Sequence, residues 1–342
     1  MYKGKLFCIV SLLTLLLYSC IKRYDPVIKR TDEGKYVVTG GVNNGDTVQH
    51  INVSIASQLT YIPKRLTVPY CIVKIIDGKG NFYTANDVFN GNYEAIIPVS
   101  ELIPGNTFKV DIQVPDGTHI VSDFDQIQDS PEVDSVYYLP DIFITGIQFY
   151  VDLDARNFAC RTYRFEAIET WEYTAPFYWY IENSVCWVSS NVRSVFTLST
   201  KDQTKNVYTI LPLHFVDNYS SQRLRYMYSL LVSQFSLSDA AFNYWDQMRR
   251  NNIEQGGLYE NQPFQVIGNL HNLTDPAKQV LGFFGASTKR TKRIFVQGGS
   301  GLGNAYIDCP PAIPPARYGP ESECVDCRNK VGGTNIKPSF WP

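Results

Sequence analysis

Phe108, Val110, Ile112 and Val114 alternate with Lys109, Asp111 and Gln113. Successive side chains of a strand point to opposite faces, so this period of two commits the stretch to a β-strand with one buried face. A one-residue slip would turn the whole apolar set to water, so the register is fixed too. The pattern recurs at Ile51, Val53 and Ile55, and 36–39 is strand-like in composition. Residues 71–76 run through Asp77-Gly78-Lys79-Gly80 into 82–84, two β-rich runs around a glycine turn, which is a hairpin. Asn90-Gly91 precedes 93–97, and Pro115-Asp116-Gly117 turns the chain into 118–121. Short strands this close together predict an antiparallel sandwich over 35–138.

Residues 139–305 read as a larger β-rich domain. Tyr163, Phe165 and Ala167 alternate with Arg164 and Glu166, and Leu224, Tyr226 and Tyr228 share a face of a second strand. The 23 Tyr, 19 Phe and 5 Trp suit sheets with broad aromatic faces. One helix is expected near 237–250. Ala241, Tyr244, Trp245 and Met248 follow helical spacing, and Ser236-x-x-Asp239 has the form of a capping box. Residues 306–342 form a Pro/Gly/Cys-rich tail. The expected fold is therefore mostly β, a sandwich followed by a β-rich domain with at least one helix.

The N-terminus addresses compartment. Lys3 and Lys5 precede an apolar run over 6–17, too short to span a bilayer, which takes about 20 residues. It has the form of a secretory signal peptide, 1–19. The run ends in Leu17-Tyr18-Ser19-Cys20, which is similar to a bacterial lipobox. Acylation of the Cys20 thiol would anchor the mature chain through a polar tether, 20–34. A net charge of −2 without basic clusters argues against a nucleic-acid partner.

Of eight cysteines, Cys8 leaves with the signal and Cys20 takes lipid. Cys71, Cys160, Cys186, Cys309, Cys324 and Cys327 remain, an even set that suggests disulfides in an envelope protein. The Cys324-x-x-Cys327 motif reads as a structural disulfide of the C-terminal loop. A zinc site would need a fourth ligand beside Cys309, Cys324 and Cys327, and a redox pair would sit at a helix start. Cys160 and Cys186 fall on what read as neighbouring strands, where a further pair would fit.

Catalytic signals are weak. His50, His119, His214 and His271 are far apart and make no zincin motif. The run Gly298-Gly299-Ser300-Gly301-Leu302-Gly303 fits neither a nucleophile elbow nor a phosphate loop and reads as a loop. Glu166, Glu169 and Glu172 bracket Trp171. Paired carboxylates can hydrolyse glycosides, but three acids in one strand read more simply as a solvated face. No metal site and no cofactor are expected. Asp46-Thr47-Val48 and Asp134-Ser135-Val136 resemble envelope O-glycosylation acceptors, and equally read as plain turn residues.

Two resemblances extend this reading. The strand–DGKG–strand hairpin, Gly91-Asn92-Tyr93 and the 104–110 stretch "PGNTFKV" resemble transthyretin-like, carboxypeptidase-regulatory-like sandwiches. Over almost the whole mature chain, "YVVTGGV", "VKIIDGKGNFY", "GIQFYVDLD", "ETWEY", "FSLSDAAFNYWDQM", "QGGLYENQPFQVIGNL", "DPAKQVLGFFGAS" and "ECVDCRNKVGGTNIKPSFWP" resemble the Bacteroidota lipoproteins known as domain of unknown function 4249. That resemblance implies an outer-membrane lipoprotein beside a TonB-dependent receptor, facing the cell surface and carrying no established enzymatic activity. Its expected role is a non-enzymatic binding or accessory subunit, with an aromatic surface around Trp171, Trp179 and Trp187 meeting an unknown ligand or the receptor. The alternatives are a structural or adhesive surface lipoprotein, or a hydrolase using Glu169 and Glu172.

Overall fold

The computed structural model describes residues 34–57, 66–141, 143, 145–178, 180–253, 265–298, 309 and 318–342. The signal segment, Cys20, Trp179 and residues 299–303 lie outside the described residues. In chain order the strands are β1 (Tyr36–Asn43), β2 (Val48–Ile55), β3 (Leu66–Thr67), β4 (Ile72–Asp77), β5 (Phe82–Asp87), β6 (Asn92–Ile96), β7 (Thr107–Gln113), β8 (His119–Ser122) and β9 (Asp125–Gln126). There follow β10 (Ser135–Pro140), β11 (Gly146–Asp154), β12 (Thr162–Thr174), β13 (Val185–Asn191), β14 (Phe196–Ser199), β15 (Val207–Asp217) and β16 (Met227–Ser236). Helix α1 (Asp239–Ile253) precedes β17 (Leu270–Asn272), β18 (Leu281–Ser287), β19 (Lys289–Gln297) and β20 (Gly333–Thr334). The protein is mostly β and sandwich-like, with one helix among the described residues.

The first strand system runs β17-β8-β7-β4-β5-β6-β2-β1-β18, with β3 on β2 and β9 on β7. The expected hairpin is β4–β5. Asp77 makes its turn by accepting hydrogen bonds from the Lys79 and Asn81 amides. Tyr93, Phe108, Ile51, Ile75 and Ile112 fill the space inside, all essentially excluded from water. The two ends of the strip meet through Asn269, whose side chain bonds both the amide and the carbonyl of Phe284.

Here the expected boundaries need correction. β17 and β18 were assigned to the 139–305 domain, but both complete the first sheet, β18 in parallel with β1 from Val37↔Leu281 to Asn43↔Ser287. Without β18 the outer edge of β1 would present unpaired backbone groups, and an unpaired edge is a liability a chain covers. The first unit is thus neither contiguous nor wholly antiparallel. The limit at 138 also falls inside a strand, since β10 pairs with β11 of the second unit.

The second unit packs a three-stranded sheet, β10-β11-β15, against β19-β16-β12-β13-β20, with β14 on β12. Phe149, Val151, Tyr163, Phe165, Tyr173, Tyr228 and Leu230 form its core. Phe149 and Tyr228 stack across the two sheets at 5.6 Å between ring centroids.

Three passages of the chain between the units are tied at one point. Thr288, fully buried, alone separates β18 from β19. Its amide donates to Ser236 Oγ at 3.1 Å, and its hydroxyl donates to the Gln128 carbonyl at 2.6 Å. Ser236 Oγ donates to the same carbonyl at 2.8 Å, and Gln234 reaches Ser130 and Pro131. Ser236 is therefore a junction residue and not the expected helix cap. The cap is Ser238, whose Oγ accepts from the Ala241 amide three positions on. Helix α1 lays Ala241, Tyr244 and Trp245 against Phe235 of one unit and Phe283 of the other.

The disulfides also depart from expectation. Cys186 pairs with Cys327 and Cys309 with Cys324, while Cys71 and Cys160 are buried free thiols. The two cysteines of the C-x-x-C motif thus serve different bridges, and Cys160 and Cys186 do not pair. Cys160 turns instead toward the carbonyls of Thr162 and Leu237. The described part of the tail is consequently attached to the second sheet, where β20 continues β13 at Trp187↔Thr334.

Candidate binding site

Counting on from Tyr163 by twos along β12 places Glu169 on the inward face with Phe165, Ala167, Trp171 and Tyr173. Glu169 is accordingly buried and not part of a solvated face. Arg223 Nη1 donates to both its oxygens, at 3.1 and 2.9 Å, and Tyr228 donates its hydroxyl at 3.0 Å. His214 Nε2 lies 3.3 Å from Oε2. Burial alone would raise this carboxyl, but the His214 hydrogen bond, the Arg223 charge and the Tyr228 hydroxyl together hold it below the usual range. Tyr228 is pushed well above its ordinary value, first by burial and then by that carboxylate.

Glu172 and Glu166 stand on the opposite face of β12. Glu172 is half-buried and its carboxyl is raised by desolvation, while Glu166 is exposed and paired with Arg164. Glu169 and Glu172 therefore do not face a common substrate space. The acid that sequence reading would have to find was Glu169 alone, and its parity with Tyr163 and Phe165 was the available signal.

The tryptophans fare similarly. Trp171 is buried in the second core, and Trp187 is half-buried beside β20, its indole N–H without a hydrogen-bond partner among the described residues. Trp171 is packing and not a binding surface, because its place on the inward face of β12 closes it off.

Arg164, on the other face of β12, lines a cavity of about 180 Å³ at the junction of the two units. Glycines 40, 41 and 285 of β1 and β18, Asp125, Phe235, Phe283 and Trp245 complete much of its wall. A side chain on Gly41 would strike the backbone of Gly285, so the parallel pair β1–β18 needs glycine there. The Arg164 guanidinium sits between two rings, 4.1 Å from the centre of Trp245 and 4.7 Å from that of Phe235. Its Nη1 is paired to Glu166, but its buried Nε has no hydrogen-bond partner among the described residues. Burial depresses the guanidinium below its ordinary value. Asp125 is pushed upward by burial, although Ser238 and the amides of Ala286 and Gln126 oppose this. The wall thus offers a cation over aromatic rings, a buried carboxyl raised by desolvation, and bare backbone. Such a recess can take a small ligand with an anionic or hydrogen-bond-accepting group. Among the described residues no group of three His, Cys, Asp or Glu side chains is placed to hold a metal ion.

Fold and recess together define a mostly β envelope of two interleaved strand systems around a small junction cavity. The chain belongs to the family "Domain of unknown function (DUF4249)", whose model matches residues 21–293. No curated protein matches the sequence. Among solved structures, one similar chain is a DUF4785 family protein from Legionella pneumophila, at 13% identity and a TM-score of 0.19, covering 58% of this chain and 52% of that one. The chain spans about half the length of that protein.

Proposed function

We propose that the protein is an outer-membrane lipoprotein, anchored through Cys20, that serves as a non-enzymatic binding or accessory subunit of a TonB-dependent transport system. The junction cavity carries this reading. The Arg164 guanidinium lines it over the rings of Trp245 and Phe235, beside Asp125 and the bare backbone of glycines 40, 41 and 285. The carboxylate best placed for chemistry, Glu169, supports it as well, since Arg223, Tyr228 and His214 already occupy its oxygens. The test is a pull-down of the tagged lipoprotein from native membranes after gentle detergent extraction, with mass spectrometry of what accompanies it. A stoichiometric TonB-dependent receptor is expected. A lipoprotein that emerges alone would overturn the transport reading in favour of a structural or adhesive role.

A further inference from the structure

At one end of the first unit lie the start of β1, the end of β2, the start of β4 and the β5–β6 turn. The chain arriving from Cys20 enters here, at Gly34. Two aromatic residues at this end stand in left-handed backbone, Tyr70 at φ 62° and Phe89 at φ 74°. Bulky residues avoid that region, and such outliers persist only where the surroundings enforce them. One carboxylate enforces both. Asp87 Oδ2 accepts the Tyr70 amide at 2.9 Å, and Oδ1 accepts the Phe89 amide at 2.8 Å. Beneath them Tyr93, fully buried, donates its hydroxyl to the Val68 carbonyl and accepts the Cys71 amide, fixing the backbone on either side of Tyr70.

Among the described residues, the rings so held stand largely in solvent. Tyr70 is 82% exposed and Phe89 79%. Leu66, Ile72, Val88 and Leu273 are exposed around the same end. The far end also exposes Phe82, Ile96, Val99, Ile103 and Phe124, but none of them at positive φ, and Lys74 and Lys109 cover the Phe82 and Phe124 rings at 5.2 and 5.0 Å. Among the described residues, aromatic side chains at positive φ occur at the tethered end alone.

We infer that Tyr70 and Phe89, presented by Asp87, form a membrane-contact site that seats the first unit on the lipid interface to which Cys20 is anchored. Aromatic side chains favour the headgroup level, where an apolar ring and a polar edge are both satisfied. The site's charges are mixed, Asp87 and Asp116 with Lys35 and Lys278, so contact is apolar and insensitive to salt. The inference rests on the proposed Cys20 anchor for its occupant.

The test holds the full mature chain, with Cys20→Ser, on phosphatidylcholine vesicles through an N-terminal histidine tag and a chelating lipid. An environment-sensitive label is placed at Phe89→Cys or, for the far end, at Ile96→Cys; the free thiols Cys71 and Cys160 are buried. Spin-labelled lipid should quench the label at residue 89 at least about twofold more than the label at 96, with little change in high salt. Equal quenching at both positions, or quenching that salt abolishes, would overturn the site. As a second measurement, Tyr70→Ser with Phe89→Ser should weaken vesicle binding of the untagged chain several-fold without changing its thermal unfolding; unchanged binding would count against it. The mass of Cys20 in protein from native membranes reports the anchor independently, so a failed anchor and a failed contact site give different results.

Discussion

Replacing Arg223 with Leu leaves the Glu169 carboxylate inside the second core with Tyr228 and His214 but without the guanidinium that reaches both its oxygens. Removing one partner of a buried ion pair costs roughly 3–5 kcal/mol. Arg223 is itself partly exposed, and Tyr228 and His214 still reach the carboxylate, so about 3 kcal/mol is expected near neutral pH. The pH dependence has a definite sign. In the native protein the Glu169 carboxyl is held low, so its contribution is complete above about pH 4.3, the unfolded value, and drains away as the pH falls through the folded one. Without Arg223, burial dominates and the carboxyl rises. The variant then loses stability as the pH climbs above about 4.3 toward the new folded value. Adding Glu169→Gln removes the stranded charge and should recover about 2 kcal/mol at neutral pH. Urea unfolding followed by circular dichroism at about pH 5 and about pH 8 reads all three proteins. A cost below about 1 kcal/mol for Arg223→Leu, or a deficit that does not grow between those pH values, would refute the reasoning.

Three other substitutions probe the frame. Cys186→Ser opens a bridge that spans 141 residues and should cost about 5 kcal/mol, against about 3 kcal/mol for Cys309→Ser with its span of 15. Thermal unfolding ranks them, and non-reducing peptide mapping should recover only those two cross-links. Gly282→Ala sets a methyl group against the Val38 carbonyl on a backbone at φ +106°, which should cost about 3 kcal/mol or more and appear as lost soluble yield. Arg164→Lys keeps the charge in the cavity but removes the guanidinium from over the Trp245 and Phe235 rings. It should cost about 1–2 kcal/mol, read by thermal unfolding, and an unchanged midpoint would deny the rings a role.

Where the determinants are local, the chain announces its structure. The period of two at Phe108–Val114 became β7, and the Asp77-Gly-Lys-Gly turn became the β4–β5 hairpin because one carboxylate satisfies its amides. Helix α1 was visible in its apolar spacing, but two serines two residues apart could each have capped it. Only the contacts of Ser236 with Gln128 and Thr288 decide that Ser238 does so. Long-range pairings left no local mark. Nothing in "LGFFGAS" says that it lies along β1, and nothing in Cys324-x-x-Cys327 says that each sulfur has a partner elsewhere. The junction cavity is illegible for the same reason, since its wall combines β1, β12, α1 and β18. Glu169 is the intermediate case: the strand period placed it inward, but a carboxylate there contradicts the usual rule, and its rescuer Arg223 lies 54 residues on.

The parallel contact of β1 with β18 also sets an order of events. A chain delivered N-terminus first presents β1 to β9 while their closing strands are still to come, and Val37 meets Leu281 only when four-fifths of the sequence has emerged. Until then the first unit has an open edge and an unfinished core, so it cannot lock early. Under the proposed export as a lipoprotein, late closure would be a built-in delay that keeps the leading segment pliable until the trailing one has passed.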